Sequence, residues 1–181
     1  AAHRLERLAD SGPVILRGRL DIPKLDRHLQ TTTWLAWPDR WRVDEAIGEE
    51  LASTAFDGTV LRQALGGKTG VALEGIAAEL TAESSSFRLF GDWRALGISI
   101  HVVQRLRRDD EEAVLVRLGA PEAPATTLYV DWPSGLVKHL AGSTFLAGIG
   151  RMSQRVNFSD YREVGGAMLP WQTKSELANT L

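Results

Sequence analysis

The chain contains no cysteine, which removes disulfides, thiol chemistry and cysteine-based metal sites at once. The lack of a stray thiol suits an oxidising compartment, although many cytosolic chains also do without cysteine. Charge of one sign is equally scarce. Lys and Arg number 21 against 23 Asp and Glu, a net -2, so composition supplies no field that would hold nucleic acid. No apolar run approaches the roughly 20 residues that a membrane-spanning helix needs. The sequence shows neither a starting Met nor a charged-then-apolar leader, so a mature or excised segment is expected. No period of about 20–50 residues repeats, which excludes a solenoid or propeller, and no Pro/Ser-rich linker divides the chain. What is left is 181 residues, 44% of them hydrophobic, long enough to bury a core as one domain spanning 1–181.

The dominant pattern is period-two alternation broken by turn residues, the signal of antiparallel hairpins with one wet face. Residues 126–177 show it best. Leu128, Val130 and Trp132 alternate with polar neighbours up to Pro133-Ser134-Gly135. After a glycine-rich gap, Val156 and Phe158 alternate with Arg155 and Asn157, and the chain reverses at Gly165-Gly166. Earlier, Val14, Leu16, Leu20 and Ile22 fall on one side of a strand that Pro23 ends. A Thr-rich strand follows over 27–37, and another over 40–47 after Pro38-Asp39. Asp57-Gly58 lies between runs at 51–56 and 59–65 and predicts a two-residue type I′ hairpin.

Two stretches read as helix. Residues 3–10 put Leu5 and Leu8 on one face before Gly12-Pro13 stops them, giving an N-terminal helix within 1–12. The pattern breaks again at Gly66-Gly67, and 71–80 (VALEGIAAEL) reads as the start of a helical insert over 71–93. The expected fold is therefore α+β, mainly β. It is a single strongly curved antiparallel sheet, an incomplete barrel of about 10–11 strands in meander order. The N-terminal helix and the central insert cover it, with first hairpins at 14–65 and a closing meander at 98–177. The space between sheet and helices is then either filled core or a cleft for an apolar ligand.

The order of these parts resembles the LolA/LolB-like lipoprotein-carrier superfamily over essentially the whole chain, closest to its bacterial extracytoplasmic domains of unassigned role. Pro38-Asp39-Arg40, Asp57-Gly58, the turn at 131–136 (DWPSGL), Asp160-Tyr161-Arg162 and the segment 165–170 carry the resemblance. It implies a curved, helix-capped half-barrel that holds acyl chains without catalysis. The lipobox cysteine is absent, and the arginine that governs release in the carriers has no clear counterpart. Anchoring and lipoprotein traffic therefore do not follow from the resemblance.

Candidate site residues come from the aromatic and apolar positions. The chain has six tryptophans, and Trp34, Trp37 and Trp41 fall close together. With Val43, Phe56, Leu61 and Leu80 they are the candidate lining of an acyl-chain pocket, and Trp93 a lid residue over it. The alternative is ordinary core, because Trp buries a large area wherever it sits.

Other motifs point to structure. Asp10-Ser11-Gly12 has the letters of an aspartic-peptidase motif, but a helix precedes it and no second copy shares a proton with it. His3, His28, His101 and His139 lack metal-ligand spacing. Gly142-Ser143-Thr144 lacks a nucleophile-elbow frame. The segment 66–70 (GGKTG) misses the first glycine of a phosphate loop, which falls at Arg62. Residues 105–112 form a charged hairpin tip that guards against edge pairing, and Asp160, Tyr161 and Arg162 a polar link that ties the last hairpin to its neighbour. The expected protein is no enzyme and needs no cofactor. It would bind a lipid, acyl chain or lipidated protein in the periplasm or cell envelope, with peripheral membrane contact and no nucleic acid. The alternative is a structural or interaction module with a filled core.

Overall fold

The computed structural model describes residues 4, 7–22, 26–75, 78, 98–108, 111–119, 126–146 and 150–179. From Val14 onward these residues form hairpins in strict succession. Strands β1 (Val14–Ile22), β2 (Arg27–Ala36), β3 (Arg40–Ile47), β4 (Glu50–Phe56), β5 (Leu61–Leu65) and β6 (Val71–Leu73) pair in chain order into a six-stranded antiparallel sheet. Strands β7 (Ile100–Arg108), β8 (Glu111–Leu118), β9 (Thr126–Asp131), β10 (Val137–Leu146), β11 (Gly150–Val164) and β12 (Ala167–Asn179) do the same in a second. One four-residue helix, α1 (Leu8–Ser11), precedes them.

Turn chemistry sets the registers. Gly165 and Gly166 hold φ of 57° and 80° between the paired Val164 and Ala167, the conformation a two-residue type I′ hairpin demands. At the β9–β10 turn the Asp131 carboxylate accepts from the Ser134 hydroxyl and, at 3.1 Å, from its amide. The Asp131 amide donates to the Leu136 carbonyl at 2.9 Å and closes the loop.

One row of apolar side chains crosses the whole first sheet in register: Val14, Leu35, Trp41, Phe56, Leu61 and Leu73. The second sheet contributes Val114, Val116, Leu118, Leu128, Val137, Leu140, Val156, Phe158, Ala167 and Leu169. Apart from Val14 and Leu73, which are half-buried against it, both sets and Leu8 of α1 belong to a single buried cluster, each large member stabilising by about 1.5–3 kcal/mol. The N-terminal segment also meets the closing hairpin: a Cβ on Gly166 would lie 2.9 Å from Arg7 Cδ.

Several expectations are corrected. There are two six-stranded sheets where one curved sheet was expected, and among the described residues no ladder joins them and no barrel closes. Among the described residues the N-terminal helix is a single turn, Leu8–Ser11, ended by Gly12 at φ 73°, too short to present an amphipathic stripe.

The insert expected over 71–93 does not begin as helix. Val71–Leu73 pairs with Leu61–Gln63 as β6, because the open edge of β5 offers ladder bonds that outweigh the weak helical preference of three residues. The rest of that insert, apart from 74–75 and 78, lies outside the described residues. Twelve strands among the described residues replace the expected ten or eleven. The expected glycine-rich gap is largely strand too: Gly142 and Ser143 pair with Gln154 and Ser153.

Asp57-Gly58 is also not a two-residue hairpin. Phe56 pairs with Leu61, leaving a four-residue loop in which Asp57 Oδ1 accepts from the amides of Thr59 at 2.9 Å and Val60 at 2.8 Å. An aspartate that can bond its own backbone two and three residues on prefers this arrangement to the tight turn.

A hollow on the core-facing side of the first sheet

Beyond the buried row, the core-facing positions of the first sheet become mixed. Leu16, Thr33, Val43, Thr54, Gln63 and Val71 form the next row, then Gly18, Thr31, Glu45, Ala52 and Leu65. Over β3 to β6 this side opens into a hollow of about 460 Å³ lined by Glu45, Ala52, Thr54, Gln63, Leu65, Lys68 and Val71, among others. Leu65 and Val71 are 52% and 70% exposed although they sit in register behind Phe56 and Leu61. Apolar side chains are thus presented to the hollow without being covered. The polar wall is organised across strands, with Gln63 Nε2 donating to Thr54 Oγ1 at 3.4 Å. Glu45 and Lys68 place one charge of each sign on the lining.

The other side of the same sheet is a different surface. Arg42 donates from Nε and Nη2 to the two carboxylate oxygens of Asp44 at 2.7 and 2.9 Å, and Asp44 is only 7% exposed. That bond holds the Arg42 guanidinium above its ordinary range, against the opposing effect of burial. Its guanidinium carbon also lies 5.3 Å from the Trp34 ring centroid. The second sheet repeats this pairing twice, with Arg105 at 4.3 Å over exposed Trp132 and Arg162 at 5.2 Å over exposed Trp171.

Comparison with known proteins turns on structure alone. No protein-family model matches the chain, and no curated protein matches it in sequence. Among solved structures, a LolA superfamily protein from Nitrosomonas europaea superposes with a TM-score of 0.60 at 13% identity, over 97% of this chain and 84% of that one. A domain described as a candidate outer-membrane lipoprotein-sorting protein from Vibrio parahaemolyticus superposes at 0.56 and 8% identity, over 96% and 88%. The chain has a LolA-like fold.

Within this LolA-like fold the expected lining residues separate. Trp41, Phe56 and Leu61 lie in the buried row, with the Trp41 and Phe56 rings 6.5 Å apart and tilted by 35°. Trp37 and Val43 are half-buried against the same cluster. Trp34 lies under Arg42 on the opposite side, because Leu35 and not Trp34 pairs with Trp41. Leu80 and Trp93 are outside the described residues.

The hollow's own lining was missed, although alternation along β4 and β5 carries the signal: Ala52, Thr54 and Phe56, then Leu61, Gln63 and Leu65. Lys68 and Thr69 of the GKT run belong to the wall of the hollow. Asp10 and Ser11 end α1. His28 bonds Asp21 at 2.7 Å, His101 lies on β7, and His139 bonds Asn157 at 2.6 Å on β10. At the charged tip, Arg107 meets Glu112 at 3.5 Å. Of the expected polar link, Tyr161 makes the connection by donating its hydroxyl to the Val137 carbonyl, and burial raises its pKa well above the usual phenol value. Asp160 and Arg162 pair at 2.7 Å beside it in an exposed position.

Proposed function

We propose that the chain binds a hydrophobic or lipid-like ligand, or a lipidated partner, without catalysis. It does so as one domain of the bacterial periplasm or cell envelope. The observation that carries this reading is the hollow of about 460 Å³ with Leu65 and Val71 uncovered in its wall. That volume suits a small-molecule site of about 300–1,000 Å³. Binding is by burial: each methylene taken out of water gains about 0.8 kcal/mol, offset by the cost of immobilising the ligand. The LolA-like fold supports it, as does the lipoprotein-sorting description of the Vibrio neighbour. Exposed Trp132 and Trp171, each under an arginine, suit peripheral contact with a lipid surface, where an amphipathic ring and a cation are both favoured. Native mass spectrometry after gentle purification tests the proposal. Adducts with lipid masses are expected; a lipid-free protein that takes up no added lipid would overturn it.

A second reading, an interaction module with a filled core, is favoured by the β7 edge. There Val102 and Val103 are 72% and 59% exposed at a register shift, a place for another strand to pair. It expects no lipid in the same experiment.

A further inference from the structure

The two edges of the second sheet finish the same buried row differently. Val116, Leu128, Leu140 and Val156 lie side by side on neighbouring strands, all of them buried. At the β12 edge the row closes on Ser175, a polar residue. At the β7 edge it closes on Val102, which is 72% exposed. Ile100, paired with buried Leu118, is 45% exposed beside it. The bulge then sets the chemistry of this edge. Val116, Val114 and Glu112 alternate along one side of β8, and they pair with Val102, Arg105 and Arg107, because the register shifts between Val102 and Gln104. That side of β7 is therefore apolar over its first half and basic over its second, and the strand holds no acidic residue. Arg107 meets Glu112 at 3.5 Å, whereas Arg105 lies over the Trp132 ring at 4.3 Å and makes no ion pair among the described residues.

We propose that the β7 edge takes up an extended acidic peptide segment of a partner protein as a further strand, with two apolar residues over Ile100 and Val102 and two acidic ones against Arg105 and Arg107. Backbone ladder bonds supply the affinity and the alternate side chains the choice of partner. Charge argues against a second copy of this chain. Another β7 brings only basic residues, and the core-facing sides of the other edges, β1, β6 and β12, carry no acid. Arginines that repel such strands leave an acidic one free to pair, so the guard on the edge also selects. This rests on the β7 observation behind the second reading above and adds the chemistry of the partner. It is compatible with a ligand in the hollow, which lies on the first sheet.

The test titrates the 15N-labelled protein with a short synthetic peptide in which two valines and then two glutamates alternate with threonines. One comparator has lysines in place of the glutamates, and another has its backbone amides N-methylated so that it cannot donate to a ladder. The acidic peptide should shift the amide resonances of β7 and leave those of β12 in place. The lysine peptide should bind about tenfold more weakly, and the N-methylated one not at all. Arg105→Glu should reverse the preference between the acidic and lysine peptides; the comparison on the wild-type protein does not depend on that variant folding. Equal affinity for the acidic and lysine peptides, or undiminished binding after N-methylation, would overturn the inference and leave β7 as an unselective contact edge. Failure of every peptide to move a β7 amide would bring down the inference and the interaction-module reading together.

Discussion

Asp57 shows how much one carboxylate can fix. The amides of Val60 and Thr59 donate to it, and Arg62 and Arg40 add a smaller attraction, so its pKa lies below the ordinary carboxylate range. A group whose pKa falls on folding stabilises above its unfolded value of about 3.9 and loses that contribution as pH drops through the folded value. Urea denaturation of Asp57→Ala should therefore show a deficit against the wild type at pH 7 that narrows below about pH 4. A deficit independent of pH would mean that the loop depends on something other than the charge. Tyr161 acts through a different bond. Its hydroxyl is the tie from β11 to the Val137 carbonyl of β10, so Tyr161→Phe should cost about 1–2 kcal/mol by leaving that carbonyl short of a donor. An unchanged denaturation midpoint would show that water replaces the hydroxyl at no cost.

At the scale of elements, the glycine turns are where the chain tolerates least. Gly166 and Gly67 have φ of 80° and 72°, so alanine is strained at both, but a Cβ meets Arg7 Cδ at 2.9 Å only at Gly166, with nothing within 4 Å at Gly67. Gly67→Ala should cost about 1 kcal/mol from backbone strain. Gly166→Ala should cost more and should also loosen α1, seen as faster amide exchange at Leu8. Equal costs would mean that Arg7 swings aside freely.

The same contrast explains what could be read beforehand. The β9–β10 and β11–β12 turns were legible because Asp131, Ser134, Gly165 and Gly166 act locally, within a few residues of where they stand. β6 was not legible, because Val71, Ala72 and Leu73 are too few to define a period, and the exposed edge of β5 decides their conformation. The tryptophans fall between these cases. Their nearness in sequence was plain, but which of them share a side depends on the pairing of Leu35 with Trp41 across a turn.

At the scale of the whole molecule, two kinds of apolar exposure must be told apart. Val71 in the hollow and Val102 on the β7 edge are almost equally exposed, at 70% and 72%. Exposure alone makes each tolerant of a charge, with stability changes within about ±0.5 kcal/mol, or about 2 °C in Tm for a chain of this size. Their effects on binding should differ. If ligand sits in the hollow, Val71→Asp removes apolar contact and places a charge against the chain, weakening the affinity for a fluorescent fatty-acid probe about tenfold. Val102→Asp, on the other sheet, should leave that affinity unchanged. The reverse result, loss at Val102 and none at Val71, would move the apolar site to the sheet edge and favour the interaction-module reading. Equal losses in both, accompanied by a fall in Tm, would show that the two sheets respond to either charge as one cooperative core.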